Sequence, residues 1–130
     1  MNYDEIKESA KKSGLIPTLG MEITELDDGY CRGEMPLNEK TCNPYGTVHG
    51  GCIYAFADTI GGSAALTKSQ KVVTLDSHMN FLKAASNEGK LIAEGKVVRH
   101  GNKVAVYHVD VMTTAGVHVA EATYSFYVLE

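Results

Sequence analysis

Residues 51–67 read GCIYAFADTIGGSAALT, a run of small and apolar residues in which Asp58 is the only charge. Its composition and length point to a helix. A helix apolar nearly all the way round has no polar face to give to water, so it must be buried. About 17 residues at ~1.5 Å per residue span roughly 25 Å. The rest of the chain therefore has to wrap this rod, which we place at residues 50–67. Gly61 and Gly62 weaken it by up to ~1 kcal/mol each relative to alanine, which predicts that a neighbouring backbone approaches there.

Downstream, apolar residues alternate with period two in four runs: Val73, Leu75, Met79 and Phe81; Leu91, Ala93 and Val97; Ala105, Tyr107, Val109 and Val111; and Ala120, Ala122, Tyr124, Phe126 and Val128. Such alternation marks half-buried strands. The breaks at Ser86-Asn87-Glu88-Gly89, His100-Gly101-Asn102 and Thr114-Ala115-Gly116 have hairpin composition, so the sheet is expected to be antiparallel. Upstream, residues 15–26 and 30–37 read as two strands around the turn Asp27-Asp28-Gly29. Residues 1–13 read as a short amphipathic helix, with Tyr3, Ile6 and Ala10 at helical spacing, acids early and lysines late. Residues 40–47 read as loop. The expectation is a single α+β domain over residues 1–130, an antiparallel sheet of about six strands wrapped around one long buried helix.

The chain is 130 residues long with a formal net charge of -4, and its 12 lysines and arginines are scattered. Nucleic-acid binding needs clustered cations, so a nucleic-acid partner is not expected; a few local cations remain enough for a phosphorylated small molecule. Cys31, Cys42 and Cys52 are odd in number and lack CxxC spacing, which fits a reducing compartment better than a disulfide framework. No run approaches the roughly 20 apolar residues of a membrane span, and the first residues lack a signal-peptide core. A cytoplasmic protein with no membrane partner is expected.

The chemistry is concentrated in Asn43-Pro44-Tyr45-Gly46-Thr47-Val48-His49-Gly50-Gly51, which opens the buried helix, and in Asp58 within it. First-turn N–H groups lack intrahelical partners and carry the positive end of the helix dipole, so Gly50 and Gly51 let a substrate oxygen approach these donors; alternatively, the glycine pair simply ends a loop. An unpaired carboxylate in an apolar helix costs several kcal/mol or shifts its pKa upward. Asp58 is therefore either a structural aspartate bonded to a neighbouring strand or a general base or nucleophile. His49 and Asp58, nine residues apart, are about 2.5 turns and roughly 13 Å apart along a helix, on opposite faces. If both are catalytic, the site lies between two subunits, and the protein is at least a homodimer.

The motif N-P-x-G-x-V-H-G-G followed by A-D-T-I-G-G resembles the hot-dog thioesterase superfamily, in particular the branch containing phenylacetyl-CoA thioesterase and thioesterase superfamily member 2. Val73-Thr74-Leu75-Asp76 through Asn80-Phe81-Leu82-Lys83, and Gly95-Lys96-Val97-Val98-Arg99-His100-Gly101-Asn102-Lys103, resemble later strands of that family. The resemblance covers roughly Leu15 to Leu129. It implies an acyl-CoA thioesterase in which Asp58 activates water or attacks the thioester carbon, while Gly50 N–H and Asn43 polarise the carbonyl. His49 would orient the thioester, and Thr74 would help Asp58 place water. It also implies a dimer of dimers and no cofactor beyond the coenzyme A carried by the substrate. The family's Phe-Leu-Arg-Pro-Ala is Phe-Leu-Lys-Ala-Ala here, which alters a strand end near the acyl pocket.

Strict alternation groups Thr74 with Asp76, His78 and Asn80, opposite the apolar set, so contact between Thr74 and the helix requires a bulge or twist. Lys83, Arg99 and Lys103 are candidates for coenzyme A phosphates or for solvated surface. Tyr54, Phe56 and Phe81 are candidates to shape the acyl pocket. Cys52, near the helix start, is a competing nucleophile or one more small core residue. His78, His100, His108 and His118 share no metal-ligand spacing and read as structural or exposed, so no metal is expected. Two other functions use this fold: a dehydratase or hydratase, whose His-Phe-Pro and Asp-x-Asn-x-x-His signatures are missing around the helix, and a non-catalytic acyl-CoA binding module.

Overall fold

In the computed structural model, which describes residues 1–130, the apolar run forms α3, Gly50–Leu66. Phe56, Ala57, Ile60, Ala64 and Ala65 of this helix are at most 1% exposed, as a helix without a polar face requires. Before it come α1 (Tyr3–Lys12), α2 (Leu15–Thr18), β1 (Glu22–Asp27) and β2 (Tyr30–Pro36); after it come β3 (Val72–Phe81), β4 (Lys90–His100), β5 (Val104–Thr113) and β6 (His118–Val128). No helix is long and apolar enough to cross a membrane.

The six strands form one antiparallel sheet in the order β1-β2-β4-β5-β6-β3. Its inner face lies on α3: Ala105, Tyr107, Val109 and Val111 of β5 and Ala120, Ala122, Tyr124 and Phe126 of β6 are all buried. Two details of the sequence reading need correction. Residues 15–26 are not one strand, because Leu15–Thr18 winds into a helical turn that ends at Gly20, whose φ is 70°. Ser86–Gly89 is not a hairpin either, since β3 pairs with β6 at the sheet edge while β4 sits between β2 and β5. The β3–β4 connection therefore crosses the end of the sheet, and β3 keeps one edge unpaired.

The helix seats closely on glycines. A Cβ on Gly95 of β4 would lie 3.2 Å from Ile60 O and 3.3 Å from Gly61 Cα. A Cβ on Gly33 of β2 would press into the Ile60 side chain and come within 2.7 Å of Glu22 O. Gly61 thus meets another backbone, as its cost within the helix predicted. Gly33→Ala should destabilise the fold by about 1–3 kcal/mol, because the backbone oxygen has no room to yield. Gly14→Ala, with nothing within 4 Å of the added carbon, should stay within about 0.5 kcal/mol of the parent. Chemical denaturation of the two variants checks the contrast.

Candidate active site

Asp58 is half-buried in the middle of α3, and its Oδ1 accepts a 2.6 Å hydrogen bond from Thr74 Oγ1. The contact exists because β3 carries a bulge: Thr74 pairs with Phe126 and Asp76 with Ser125, leaving Leu75 as the extra residue. Before the bulge, Val72 and Thr74 share a face with Phe126, towards the helix; after it, Ser77, Met79 and Phe81 do so. Val73 and Leu75 point away and are 47% and 56% exposed. The bulge required by the sequence conflict at Thr74 is therefore present.

A groove of ≈ 240 Å³ opens at Asp58, with Thr74, Val72, Leu66 and Phe126 along it and Ile6 and Ser13 contributed from the N-terminal segment. Burial pushes the Asp58 carboxyl above the ordinary aspartate range, and the Thr74 hydroxyl opposes this in part. Such a carboxyl accepts a proton more readily than an exposed one. The contribution of α1 was not legible beforehand, since its apolar face at Ile6 carried no sign of which surface it would cover.

The start of α3 is held by a loop stitched through Asn43. Its Oδ1 accepts from Tyr45 N (2.9 Å) and Thr47 N (3.0 Å), and its Nδ2 donates to Thr47 Oγ1 at 2.6 Å. One amide hydrogen of Asn43 is left for another partner. His49 is the N-cap of α3, its Nδ1 accepting from Gly51 N at 2.8 Å. The neutral ring then carries its proton on Nε2, pointing outward as a donor. Gly51 N–H is therefore engaged by His49 within the chain. Gly50 N–H donates to no group of the chain, and its glycine lets the ring of Phe81 come close, 3.3 Å from where a Cβ would stand.

Gly50, Asn43, Phe81 and Lys83 line a second groove, ≈ 310 Å³, while the His49 ring borders a third with Cys42, Cys52 and Leu19. The chain thus gathers Asn43, Gly50, Phe81 and Lys83 at one place and Asp58 with Thr74 at another. Arg99 joins neither: it pairs with Val106 on the sheet face turned away from α3. Lys103 lies in the β4–β5 turn. Neither lines the Asp58 groove or the Gly50 groove. Phe56, expected near the acyl group, is 0% exposed within the core, whereas Tyr54 packs against Tyr124 with rings tilted by 56° and bonds Ser77. Burial raises the Cys52 thiol above its ordinary range, so the helix start does not activate it as a nucleophile.

A six-stranded antiparallel sheet curled on one long helix is the hot-dog fold. The sequence profile of the thioesterase superfamily matches residues 45–120, and the chain belongs to that superfamily. A Halobacterium salinarum protein provisionally named an esterase is 38% identical over 118 residues, 85% of this chain and 77% of its own length. A hypothetical thioesterase from Streptococcus pneumoniae, solved with coenzyme A, is similar at 30% identity with a TM-score of 0.80, covering 84% of this chain and 85% of that one. The PaaI protein of the E. coli phenylacetic acid degradation operon shares the fold, with a TM-score of 0.90 over 99% of this chain and 97% of that one at 19% identity.

Because its carboxyl is raised in the folded state, Asp58 binds a proton more tightly there than in the unfolded chain. Its contribution to stability therefore improves as pH falls through the raised value and is unfavourable above it. Asp58→Asn should unfold at the same temperature as the parent or higher at neutral pH, with the advantage shrinking in acid. Thermal melts of both proteins across the acid range test the sign.

Proposed function

We propose that this protein is an acyl-CoA thioesterase, hydrolysing an acyl-CoA thioester to the free acid and coenzyme A. The observation that carries this reading is Asp58: the one charge of a buried helix, bonded to Thr74 and open to a groove. In the proposed reaction Asp58 takes a proton from water as the oxygen attacks the thioester carbon. The carbonyl oxygen becomes an oxyanion bound by Gly50 N–H at the positive end of α3, with Asn43 assisting. When the C–S bond breaks, the thiolate of coenzyme A takes the proton back; His49, next to Gly50 in sequence but bordering a neighbouring groove, enters through the family resemblance as the group that orients the thioester sulfur. Attack by Asp58 itself through an acyl-enzyme anhydride uses the same groups. Lys83 and Phe81, beside Gly50, are placed to meet the rest of the substrate. No metal takes part in this scheme.

A site divided between two subunits fits the geometry, since the Gly50 groove and the Asp58 groove are separate within one chain. The unpaired edge of β3 exposes Val73, Leu75 and Phe81 at 47%, 56% and 57%, and a ten-residue unpaired edge invites another strand. Two β3 strands paired antiparallel about a twofold axis set the Phe81 end of one against the Thr74 end of the other. That pairing carries Gly50 of one subunit towards Asp58 of the second, giving two sites per homodimer. Association of two dimers into a tetramer rests on the family resemblance, and a reducing, cytoplasmic setting fits three free cysteines.

A panel of acyl-CoA thioesters with a thiol-detecting readout tests the activity. Asp58→Asn should lower kcat at least ~100-fold with folding intact; if every thioester survives the parent enzyme, the protein is a binding module instead. Exhaustive chelation should leave the rate unchanged.

The divided site has its own test. His49→Ala and Asp58→Ala homodimers should each be inactive, yet mass-labelled mixed dimers should recover roughly a quarter of the parent rate after random exchange, because one site in each mixed dimer is whole. Verified mixed dimers without activity would overturn the shared site.

A further inference from the structure

The outer face of the sheet, turned away from α3, gathers a second set of polar groups. His108 and Asp110 stand at alternate positions of β5, and Glu121 of β6 is the direct cross-strand partner of Asp110. One ligand atom from each of His108, Asp110 and Glu121 lies within 4.8 Å of the others. Asp110 Oδ1 is also 3.1 Å from His108 Nε2 and 2.8 Å from His118 Nε2. Strict alternation would put His118 on the core side with Ala120. A bulge reverses this: Val111 pairs with Ala120 and Met112 with His118, so Val119 is the extra residue and turns inward, 1% exposed. The irregularity delivers a second imidazole to the same carboxylate.

The charge balance of this cluster is incomplete. Like charges directly opposite on adjacent strands repel, and Glu94 continues the row beside Asp110. Glu94 is served by Arg32 and Tyr30. Asp110 has only the two imidazoles within ion-pair distance, and the nearest partner of Glu121 is Asn80 Nδ2 at 3.4 Å. No lysine or arginine neutralises the pair.

We infer that His108, Asp110, Glu121 and His118 form a binding site for a divalent transition-metal ion of the zinc class, on the face of the sheet opposite the thioesterase groove. Two imidazole nitrogens and two carboxylates suit Zn²⁺, Co²⁺, Ni²⁺ or Cu²⁺ better than Mg²⁺ or Ca²⁺. In a tetrahedral site with bonds of ~2.0–2.1 Å, ligand atoms stand roughly 3.3 Å apart, close to the spacings already present around Asp110. His118 stands outside the three-residue group and is tied to it through Asp110 Oδ1 at 2.8 Å; with side chains 30–44% exposed for His108, Asp110 and His118, its imidazole would have to turn towards Glu121 to become the fourth ligand. The ion would replace the N–H···O contacts, bind both Nε2 lone pairs in place of protons, and clamp β5 to β6. Its role is structural, independent of the hydrolytic reaction.

The untagged, metal-free full chain is titrated with Co²⁺, followed by visible absorption, and with Zn²⁺, followed by thermal unfolding. One Co²⁺ per chain should bind with a d–d spectrum of low coordination number, and saturating Zn²⁺ should raise Tm by about 3 °C or more. Asp110→Asn, His118→Gln and Glu121→Gln should each weaken binding at least ~10-fold while Asp58→Asn leaves it unchanged. His118→Gln should also leave acyl-CoA hydrolysis unchanged, which separates this site from the proposed activity. Absence of both signals in the parent chain overturns the proposal. So does binding of parental strength in His118→Gln and Glu121→Gln, two surface substitutions that keep the test valid if Asp110→Asn fails to fold.

Discussion

Burial of α3 is the constraint from which the rest of the molecule follows. A helix of this composition has no face that water can serve, so the sheet must curl until it covers the helix. Close seating demands residues without side chains where helix and strands meet, and Gly33, Gly61 and Gly95 occupy those places. The β1–β2 turn is tied to the far end of the helix by the bond from Gly29 N to Thr67 Oγ1. Helix and sheet are thereby joined at that end.

Once the helix is buried, its two polar features acquire chemical meaning. The amide of Gly50 opens onto a groove at the positive end of the helix, and the half-buried carboxylate of Asp58 is partly withdrawn from water, where a charge is felt more strongly than in bulk solvent. The Thr74 hydroxyl satisfies only one oxygen of Asp58, and burial raises the proton affinity of the group. In the proposed reaction a carboxyl of raised proton affinity is suited to accept a proton from water.

Much of the architecture was legible because it follows from periodicity. The alternating apolar sets of β5 and β6 are the buried sets, and the central helix begins at Gly50 and ends within a residue of expectation. The misreadings have local causes. Leu15–Thr18 winds into a turn of helix although its apolar residues suit a strand, since short apolar segments lack a period long enough to decide between the two. The β3–β4 link has the composition of a hairpin, but composition does not say which strands become neighbours. Asn43 and Gly51 were identified as polar contacts of the site, yet their hydrogen bonds are used largely within the loop and cap, which only the folded geometry can reveal.

The sequence by itself determined the buried helix, the number and inner faces of most strands, and the position of a lone carboxylate within the apolar run, because these depend on composition and on periods of 3.6 and 2. The tertiary structure decided strand order and where the alternation breaks. Bulges at Leu75 and Val119 each move neighbouring side chains to the opposite face. One brings Thr74 to Asp58 and the other brings His118 to Asp110, so both polar clusters depend on single extra residues. A bulge is selected by twist, edge position and packing over the whole sheet, and no local pattern of residues specifies it.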